Sequence, residues 1–249
     1  MAMHGTEISC VTGWYGKLPA KGDFISRSLP RAFVRRWDAW LQSVIGSASE
    51  RLGTRWRECY SGAPAWRFLL SPGIAAEGAV AGVLMPSADR VGRLFPLTIA
   101  SVLDPARVDL AKTLIAAQAW FAALEAVAGA SLDPALDLDA YDERIKAIVF
   151  PADDVIRLEP GSGVAPMPKD ESAPTPAVHA RLEPGDDGPA EEAILRLRER
   201  LVKETEPLAF WLTRSSKPFG QWALATAGLP SDEQFCAMLD GDWQGHGWS

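Results

Sequence analysis

Polar residues that could act on a ligand are concentrated near the start of the chain, in the segment GWYGKLPAKGDFISRSLPRAFVRR over residues 13–36. Asp23 could serve there as a general acid or base, and Lys17 and its basic neighbours could clamp an anion. A second polar cluster, PSADRVGR, offers Ser87 as a nucleophile with Asp89 two residues later. These residue types would suit an enzyme that acts on a phosphorylated or acidic ligand at the GKLPAKGDF loop.

Both clusters also have a structural interpretation, and we favour it. Asp side chains commonly accept hydrogen bonds from N–H groups of their own turn, which would explain Asp23. Asp89 is expected to pair with Arg90 or Arg93 within a turn. In this interpretation the carboxylates stabilise loops and perform no catalysis.

Sites that need a particular residue spacing are not indicated. A Ser-His-Asp or Cys-His arrangement lacks its base, because the histidines lie outside the predicted core elements. These histidines are His4, His179 and His246. No HxxxH or Cys/His cluster supplies zinc spacing. GWYGK ends like a phosphate-binding loop, but it lacks the four-residue spacer and the Ser or Thr after lysine. We therefore predict no catalytic residues, no metal and no cofactor.

The segment 13–36 is strongly basic, and Asp23 is its one acidic residue. The basic side chains form either a solvated face or a docking surface for an acidic or phosphorylated partner. General nucleic-acid binding is not expected, because the net charge is −7. Residues 1–100 carry 12 Lys and Arg against 7 Asp and Glu, whereas the remainder carries 13 against 25. The candidate partner-binding residues are Lys17, Lys21, Asp23, Arg27, Arg31, Arg35 and Arg36.

Two elements must position these side chains: a loop punctuated by glycine and proline, and the helix that follows it. Glycine allows positive φ or the close approach of another chain, and proline fixes φ. Pro30 suits the first turn of a helix, which is predicted over residues 30–45. Its apolar residues recur at helical spacing and are predicted to be core, with a partner groove as the alternative: Phe33, Trp37, Trp40, Leu41 and Val44.

The remaining patterns predict an α+β fold, with a largely antiparallel central sheet flanked by helices in an α/β/α sandwich-like arrangement. The connections between the apolar runs after residue 65 are too short for helical crossovers, which favours antiparallel pairing. Strands are predicted over residues 8–15, 65–71, 79–85, 94–102, 208–213 and 221–226. Further helices are predicted over residues 54–60, 104–128 and 140–148, in EEAILRLRER, and after a Ser231 cap.

Residues 151–189 differ in composition from the rest of the chain. Prolines, glycines and acidic residues dominate, and large apolar residues are sparse. Such a segment cannot bury enough surface to order itself, so we predict a linker or excursion. The predicted organisation is one main domain, with a core over residues 1–150, the linker over 151–189, and a C-terminal part over 190–249 that packs on the core.

The composition of 47% hydrophobic and 23% charged residues is typical of a globular protein. No basic segment followed by an apolar run begins the chain, so no signal peptide is indicated. The apolar run over 114–132 is interrupted by Gln118 and Glu125 and predicts a soluble helix. We predict a cytoplasmic protein without membrane insertion. The cysteines form no CxxC motif, which fits a reducing compartment. They are Cys10, Cys59 and Cys236.

Three blocks of sequence together resemble the TagF family, accessory proteins of the bacterial type VI secretion system. The first is GWYGKLPAKGDFISRSLPRAFVRRWDAWLQ over residues 13–42. The second combines APAWRFLLSPG with GVLMPSADRVGRLFPLTIA, up to residue 100. The third and weaker block is GLPSDEQFCAML. The motif positions are Gly16, Lys17, Leu18, Pro19, Gly22, Asp23, Phe24, Trp37, Trp40, Pro86, Ser87, Asp89, Arg90, Gly92, Arg93 and Pro96.

This resemblance implies a non-enzymatic cytoplasmic regulator that acts by protein–protein binding. Members of the family hold the secretion machine inactive after translation. They are linked with its FHA-domain scaffold protein, which is therefore the expected partner. The resemblance brings no catalytic residues with it, and it extends only loosely beyond residue 100.

Overall fold

An antiparallel sheet of eight strands lies at the centre of the part of the chain that the structure describes. The computed structural model describes residues 10–103, 109–151, 177–182, 196–197, 208–213 and 219–248. The order across the sheet is β2-β1-β5-β4-β3-β7-β8-β6, and every neighbouring pair is antiparallel. The strands are β1 (Cys10–Gly16), β2 (Ile25–Arg27), β3 (Trp66–Leu70), β4 (Ala79–Met85), β5 (Leu97–Leu103), β6 (Ala177–Leu182), β7 (Leu208–Thr213) and β8 (Gln221–Ala227).

Helices cover both faces of this sheet, so there are two hydrophobic layers. On one face lie α1 (Arg31–Leu52), α2 (Trp56–Gly62), which follows a short 3₁₀ turn, and α6 (Asp232–Asp240). On the other lie α3 (Leu110–Ala116), α4 (Gln118–Ala130) and α5 (Leu138–Lys146). The predicted α+β class with flanking helices is confirmed, and the chain forms a single domain.

The central strands are apolar at almost every position because both of their faces are covered. In β4, Ala81 and Val83 pack toward α3–α5, whereas Val80 and Leu84 pack toward α1 and α6. Gly82 lies where a Cβ would come 2.4 Å from the carbonyl oxygen of Ile99 on β5. A side chain at that position would push the two strands apart.

The stripe on α1 is core, as predicted. Phe33 and Trp37 are buried, and the Trp37 indole donates a hydrogen bond of 2.8 Å to Thr98 Oγ1 on β5. The helix ends at Leu52 and not near residue 45, because Ala48 and Leu52 continue the same buried stripe at i+4 spacing.

Most predicted elements are present with small shifts in their bounds. The hairpin of β7 and β8 and the Ser231 cap of α6 are confirmed, and Ser231 and Gln234 form a reciprocal capping box. The helix predicted over 104–128 is instead two helices divided at Ala117, and Asp109 caps the first of them. Its predicted start at residues 104–105 lies outside the described residues, as does EEAILRLRER apart from residues 196–197.

Part of the predicted linker is a strand. Residues 177–182 form β6, which pairs with β8 at the edge of the sheet. Val178 and Leu182 are buried, so this short AVHARL sequence contributes enough apolar surface to join the sheet. The linker prediction is wrong for these six residues, and its other residues from 152 onward lie outside the described part.

Candidate functional site

Two loops that are distant in sequence lie against each other at one end of the sheet. Residues 16–24 follow β1, and residues 86–96 connect β4 to β5; we call this pair the clasp. Backbone groups join the loops directly, since the Arg90 N–H donates to Lys21 O at 2.9 Å. The Arg93 guanidinium also donates to Gly22 O at 2.5 Å. The clasp thus brings together the two motif blocks that dominate the sequence resemblance.

Position 16 requires a glycine, because the backbones of the two loops are in close contact there. Its φ is +143°, and a Cβ added to it would lie 2.2 Å from the carbonyl oxygen of Pro96. Gly13 is similarly confined, because a Cβ there would lie 2.4 Å from Arg27 O. The predicted glycine-rich loop is therefore rigid through close backbone contact.

Asp89 lies at the centre of the clasp, and its side chain is fully buried. Its Oδ1 accepts hydrogen bonds from the N–H groups of Val91 at 3.0 Å and Arg93 at 2.9 Å. Its Oδ2 accepts from Arg93 Nε at 2.6 Å and from Lys17 Nζ at 3.2 Å. The predicted pairing of Asp89 with an arginine of its own turn is confirmed for Arg93.

The Asp89 carboxylate is a permanent anion at ordinary pH. Burial acts to raise its pKa, but the hydrogen bonds from Arg93, Lys17 and the Val91 N–H outweigh burial and hold the pKa well below its usual range. A general acid or base needs a pKa near the working pH. Asp89 is therefore suited to holding the clasp together and not to transferring protons.

The side chain of Ser87 also has a structural role. Its hydroxyl donates to Lys17 O at 2.7 Å, which links the two loops once more. The Ser87 backbone N–H donates to the Tyr60 hydroxyl at 3.2 Å, and that hydroxyl donates to Ser87 O at 3.0 Å. Burial holds the pKa of Tyr60 above its usual range, so this phenol stays neutral. The sequence analysis missed Tyr60, which joins α2 to the clasp.

An aromatic group projects from the first loop. Phe24 is 47% exposed, although its ring stacks on Tyr15 with centroids 5.9 Å apart and forms a T-shaped contact with Phe95 with centroids 4.7 Å apart. Lys17 Nζ lies 4.8 Å from the Phe24 ring centroid. The ring is therefore fixed on one side and open to solvent on the other.

The predicted basic residues do not form one patch. Lys17, predicted to face a partner, is instead buried and paired with Asp89. Arg27 lies on the same face of β2 as Ile25, which packs against the α3–α5 layer. Arg27 accordingly pairs with Asp139 of α5 at 3.5 Å. It thus points away from the layer that contains α1.

Three arginines remain exposed on α1, on the side opposite its buried stripe: Arg31, Arg35 and Arg36. Within the described ranges, none of the three forms an ion pair with a carboxylate. Lys21 is likewise exposed on the clasp and unpaired among those residues. These four cations can meet a partner without first breaking an existing contact.

Asp23 is exposed, and no N–H of the described loop donates to its carboxylate. The role predicted for it in stabilising the turn is played by Asp89. The phosphate-loop interpretation of GWYGK fails on geometry, because Gly16 ends strand β1 and the helix α1 begins only at Arg31.

Strand β1 connects the clasp to both helical layers. The Trp14 indole donates to Asp142 Oδ1 of α5 at 2.9 Å. On the opposite face, the Tyr15 hydroxyl donates to Asp38 Oδ1 of α1. Neighbouring residues of one strand thus fix the position of the clasp relative to the helices on either side.

A small apolar pocket lies against the clasp, between α2 and α6. Tyr60, Pro86, Pro96 and Phe235 are among its lining residues, whereas Lys17, Asp23 and Asp89 are not. The candidate acid, base and anion clamp therefore do not gather in this pocket.

The histidines and cysteines are placed as follows. His179, predicted in the linker, lies in β6 and stacks on Trp243, and His246 lies 3.2 Å from Asp240. His4 lies outside the described residues. All three cysteines are free thiols; Cys236 is buried, and burial raises its pKa to about 11.

Among the described residues, no three His, Cys, Asp or Glu side chains come together as a metal site requires. No helix of that part is both long and apolar enough to cross a bilayer.

Comparison with known proteins identifies the family. The sequence pattern of the TagF N-terminal domain, described as type VI secretion system-associated, matches residues 13–148. The chain belongs to the TagF family. Its fold is similar to the crystal structure of PA0076 from Pseudomonas aeruginosa PAO1, with a TM-score of 0.71 and 32% sequence identity. That similarity covers 93% of this TagF chain and 94% of PA0076. A search of curated proteins finds no match.

The TagF match has a direct structural meaning. Its residues 13–148 include the whole clasp, helix α1 and the layer of helices α3–α5. Lys17, Asp89 and Arg93, which the sequence analysis predicts to be motif positions, hold the clasp together. The side chains that this TagF clasp presents to solvent are Lys21, Asp23, Phe24, Arg90, Val91 and Arg93.

Proposed function

We propose that this TagF protein is a non-enzymatic cytoplasmic regulator that restrains type VI secretion after translation, by binding a component of the machine. The observation that carries the proposal is the family match over residues 13–148. The FHA-domain scaffold protein is the first partner to test, because the resemblance to the family links its members with that scaffold.

The geometry supports binding over catalysis. Lys17, which an enzyme would use as an anion clamp, is already paired with Asp89 at 3.2 Å. The Asp89 carboxylate stays ionised and is enclosed by donors, so it has neither the pKa nor the access of an acid–base group. Rigid loops beside a charged helix face are instead typical of recognition surfaces.

We place the docking surface on the exposed arginines of α1 and on the neighbouring loop. Arg31, Arg35 and Arg36 are free to meet carboxylates or phosphates of a partner. Charges of this kind steer association and set which partner is accepted. Lys21 and Asp23 extend the surface onto the clasp, whereas Lys17 and Arg27 are engaged elsewhere.

A secretion assay in the source bacterium tests the function. Deletion of the gene is expected to increase release of type VI effectors while the amounts of the machine's components stay constant. Overproduction should suppress release. Unchanged secretion in both strains would reject the regulatory function, and altered component levels would reject action after translation.

A capture experiment tests the surface. The variant Arg31→Glu/Arg35→Glu/Arg36→Glu should retain much less of the FHA-domain scaffold than the wild type. A control with the same change in net charge alters exposed cations on other helices: Arg57→Glu/Lys112→Glu/Arg144→Glu. Equal capture by both variants, with melting curves that show them folded, would reject this face as the docking surface.

A further inference from the structure

Phe24 combines exposure with immobility, and this combination is uncommon for an aromatic side chain outside an interface. About half of the residue is open to solvent, at 47%. The rest is held by Tyr15, Phe95 and the Lys17 ammonium, with the ring centroids of Phe24 and Phe95 4.7 Å apart. A partner that covers the open side would lose little side-chain entropy from this residue.

Cations lie on the clasp next to this ring. Arg90 is exposed, and its Nη2 lies 3.9 Å from the place that a Cβ on Gly22 would occupy, two residues before Phe24. Arg93 is 60% exposed even though its Nε binds Asp89. Val91, at 70% exposure, adds a second apolar group, and its backbone is held by Asp89 Oδ1.

Phe24 is also linked to helix α1, which carries further exposed cations. Tyr15 stacks on Phe24 and also donates its hydroxyl to Asp38 of α1. Arg35 precedes Asp38 by three residues, which places it one turn away on the same side of α1. Arg31 lies one further turn back. Through Tyr15 and Asp38, Phe24 is thus connected to the part of α1 that carries these arginines.

We propose that Phe24 is the central contact of a docking surface for an acidic segment of a partner protein, one that carries an apolar or aromatic side chain between carboxylates. Charge complementarity decides this occupant, since the clasp presents Lys21, Arg90 and Arg93 beside Phe24 and Val91, against one exposed carboxylate, that of Asp23. Interface centres are enriched in aromatic residues and arginine, and a few of them contribute most of the binding energy. The inference rests on the proposed function and specifies the chemistry of the partner.

Selection from a random peptide library displayed on phage, with the full chain as the target, tests the chemistry. Recovered peptides should share an aromatic or large aliphatic residue flanked by Asp or Glu. Their affinity, measured by fluorescence anisotropy on synthetic copies, should fall about ten-fold or more for Phe24→Ala, because a few central aromatic contacts contribute most of the binding energy of an interface. Arg90→Glu should weaken them as well, and it leaves the aromatic contacts intact.

Leu132→Ala is the matched control, because Leu132 is 50% exposed and follows α4 on the opposite layer. It should leave peptide affinity unchanged.

Peptides without acidic residues, or peptides bound equally by wild type, Phe24→Ala and Arg90→Glu, would overturn the proposal. Dimers that separate on Phe24→Ala would assign the surface to a second copy of the chain and overturn it too. Secretion that does not respond to deletion of the gene, together with peptides of the expected kind, would reject the regulatory function and leave this surface standing.

Discussion

Lys17 Nζ lies 3.2 Å from Asp89 Oδ2, although the two residues are 72 positions apart in the sequence. The pair is buried and joins the two loops of the clasp. Two charged residues of the family motif therefore interact with each other and not with a partner. What the clasp offers to a partner is the set of side chains that this pair holds in place.

The variant Asp89→Asn is expected to lower the stability of the protein at neutral pH. The amide keeps the size of the side chain but loses both charge pairs and cannot accept as many hydrogen bonds. The folded-state pKa of Asp89 lies below its ordinary value of 3.8. Stabilisation by the ionised carboxylate is therefore fully present above that value and is lost as pH falls through the lower folded-state pKa.

Urea unfolding of both proteins between pH 7 and about pH 3 measures this effect. The difference in free energy of unfolding between wild type and Asp89→Asn should be constant near neutral pH and should shrink below about pH 4. Asp23→Asn, at an exposed site on the other loop of the clasp, should change the free energy of unfolding at pH 7 by no more than about 0.5 kcal/mol. A difference for Asp89→Asn that stays constant down to pH 3 would contradict the depressed pKa.

Gly16→Ala should destabilise the protein. An alanine at φ +143° is strained, and its Cβ would lie 2.2 Å from Pro96 O. Strained backbone conformations of this kind cost roughly 1–3 kcal/mol each, and the clash adds to that. Gly46→Ala is the matched control, because Gly46 lies in α1 with open space around it. It should stabilise by about 0.5–1 kcal/mol. Equal thermal melts for the two variants would mean that the clasp does not confine Gly16.

The secondary structure was largely predictable because its signals are local. The stripe of Phe33, Trp37 and Leu41 predicts a buried helical face from spacing alone, and the apolar runs of β4 and β7 predict covered strands. β6 was missed because AVHARL contains a histidine and an arginine and lies among prolines. Its pairing with β8 depends on a contact that no local pattern encodes.

The site was less predictable, because it depends on which charges meet across the sheet. The sequence counts Lys17 and Arg27 as members of one basic cluster. The structure buries the first against Asp89 and directs the second to Asp139 on the opposite layer. The i,i+4 pairing of Asp89 and Arg93 was found, since it is local. The exposure of Phe24 was not predicted, because an aromatic residue in a loop is as compatible with burial as with exposure.

Trp37→Ala should cost about 3–5 kcal/mol, as other large-to-small changes in a core do. The indole is fully buried, it packs on Phe68 of β3, and its hydrogen bond to Thr98 would be lost. Chemical denaturation with tryptophan-independent detection by circular dichroism measures the change. Val149→Ala, at a site 80% exposed, should change stability by no more than about 0.5 kcal/mol. A Trp37→Ala protein as stable as this control would contradict the buried stripe.

Arg67 is a charge inside the sheet that the sequence analysis did not single out. It lies in β3 with a side chain 3% exposed, and its guanidinium makes a two-point ion pair with Glu125 of α4 at 2.8 Å and 2.5 Å. Gln118 accepts a third hydrogen bond at 2.5 Å. A buried cation of this kind is tolerated because each of these donors has a partner.

Glu125→Leu should therefore destabilise by roughly 3–5 kcal/mol, because it leaves the Arg67 cation buried and without its counter-charge. The double variant Arg67→Met/Glu125→Leu removes both charges, so it should recover most of that loss. Together with the wild type and the single variant Arg67→Met, these proteins form a double-mutant cycle in urea unfolding, and the coupling energy isolates the pair from the other contacts of each residue. Additive losses in the double variant would show that the two side chains act independently, and that α4 is held on the sheet by its apolar face alone.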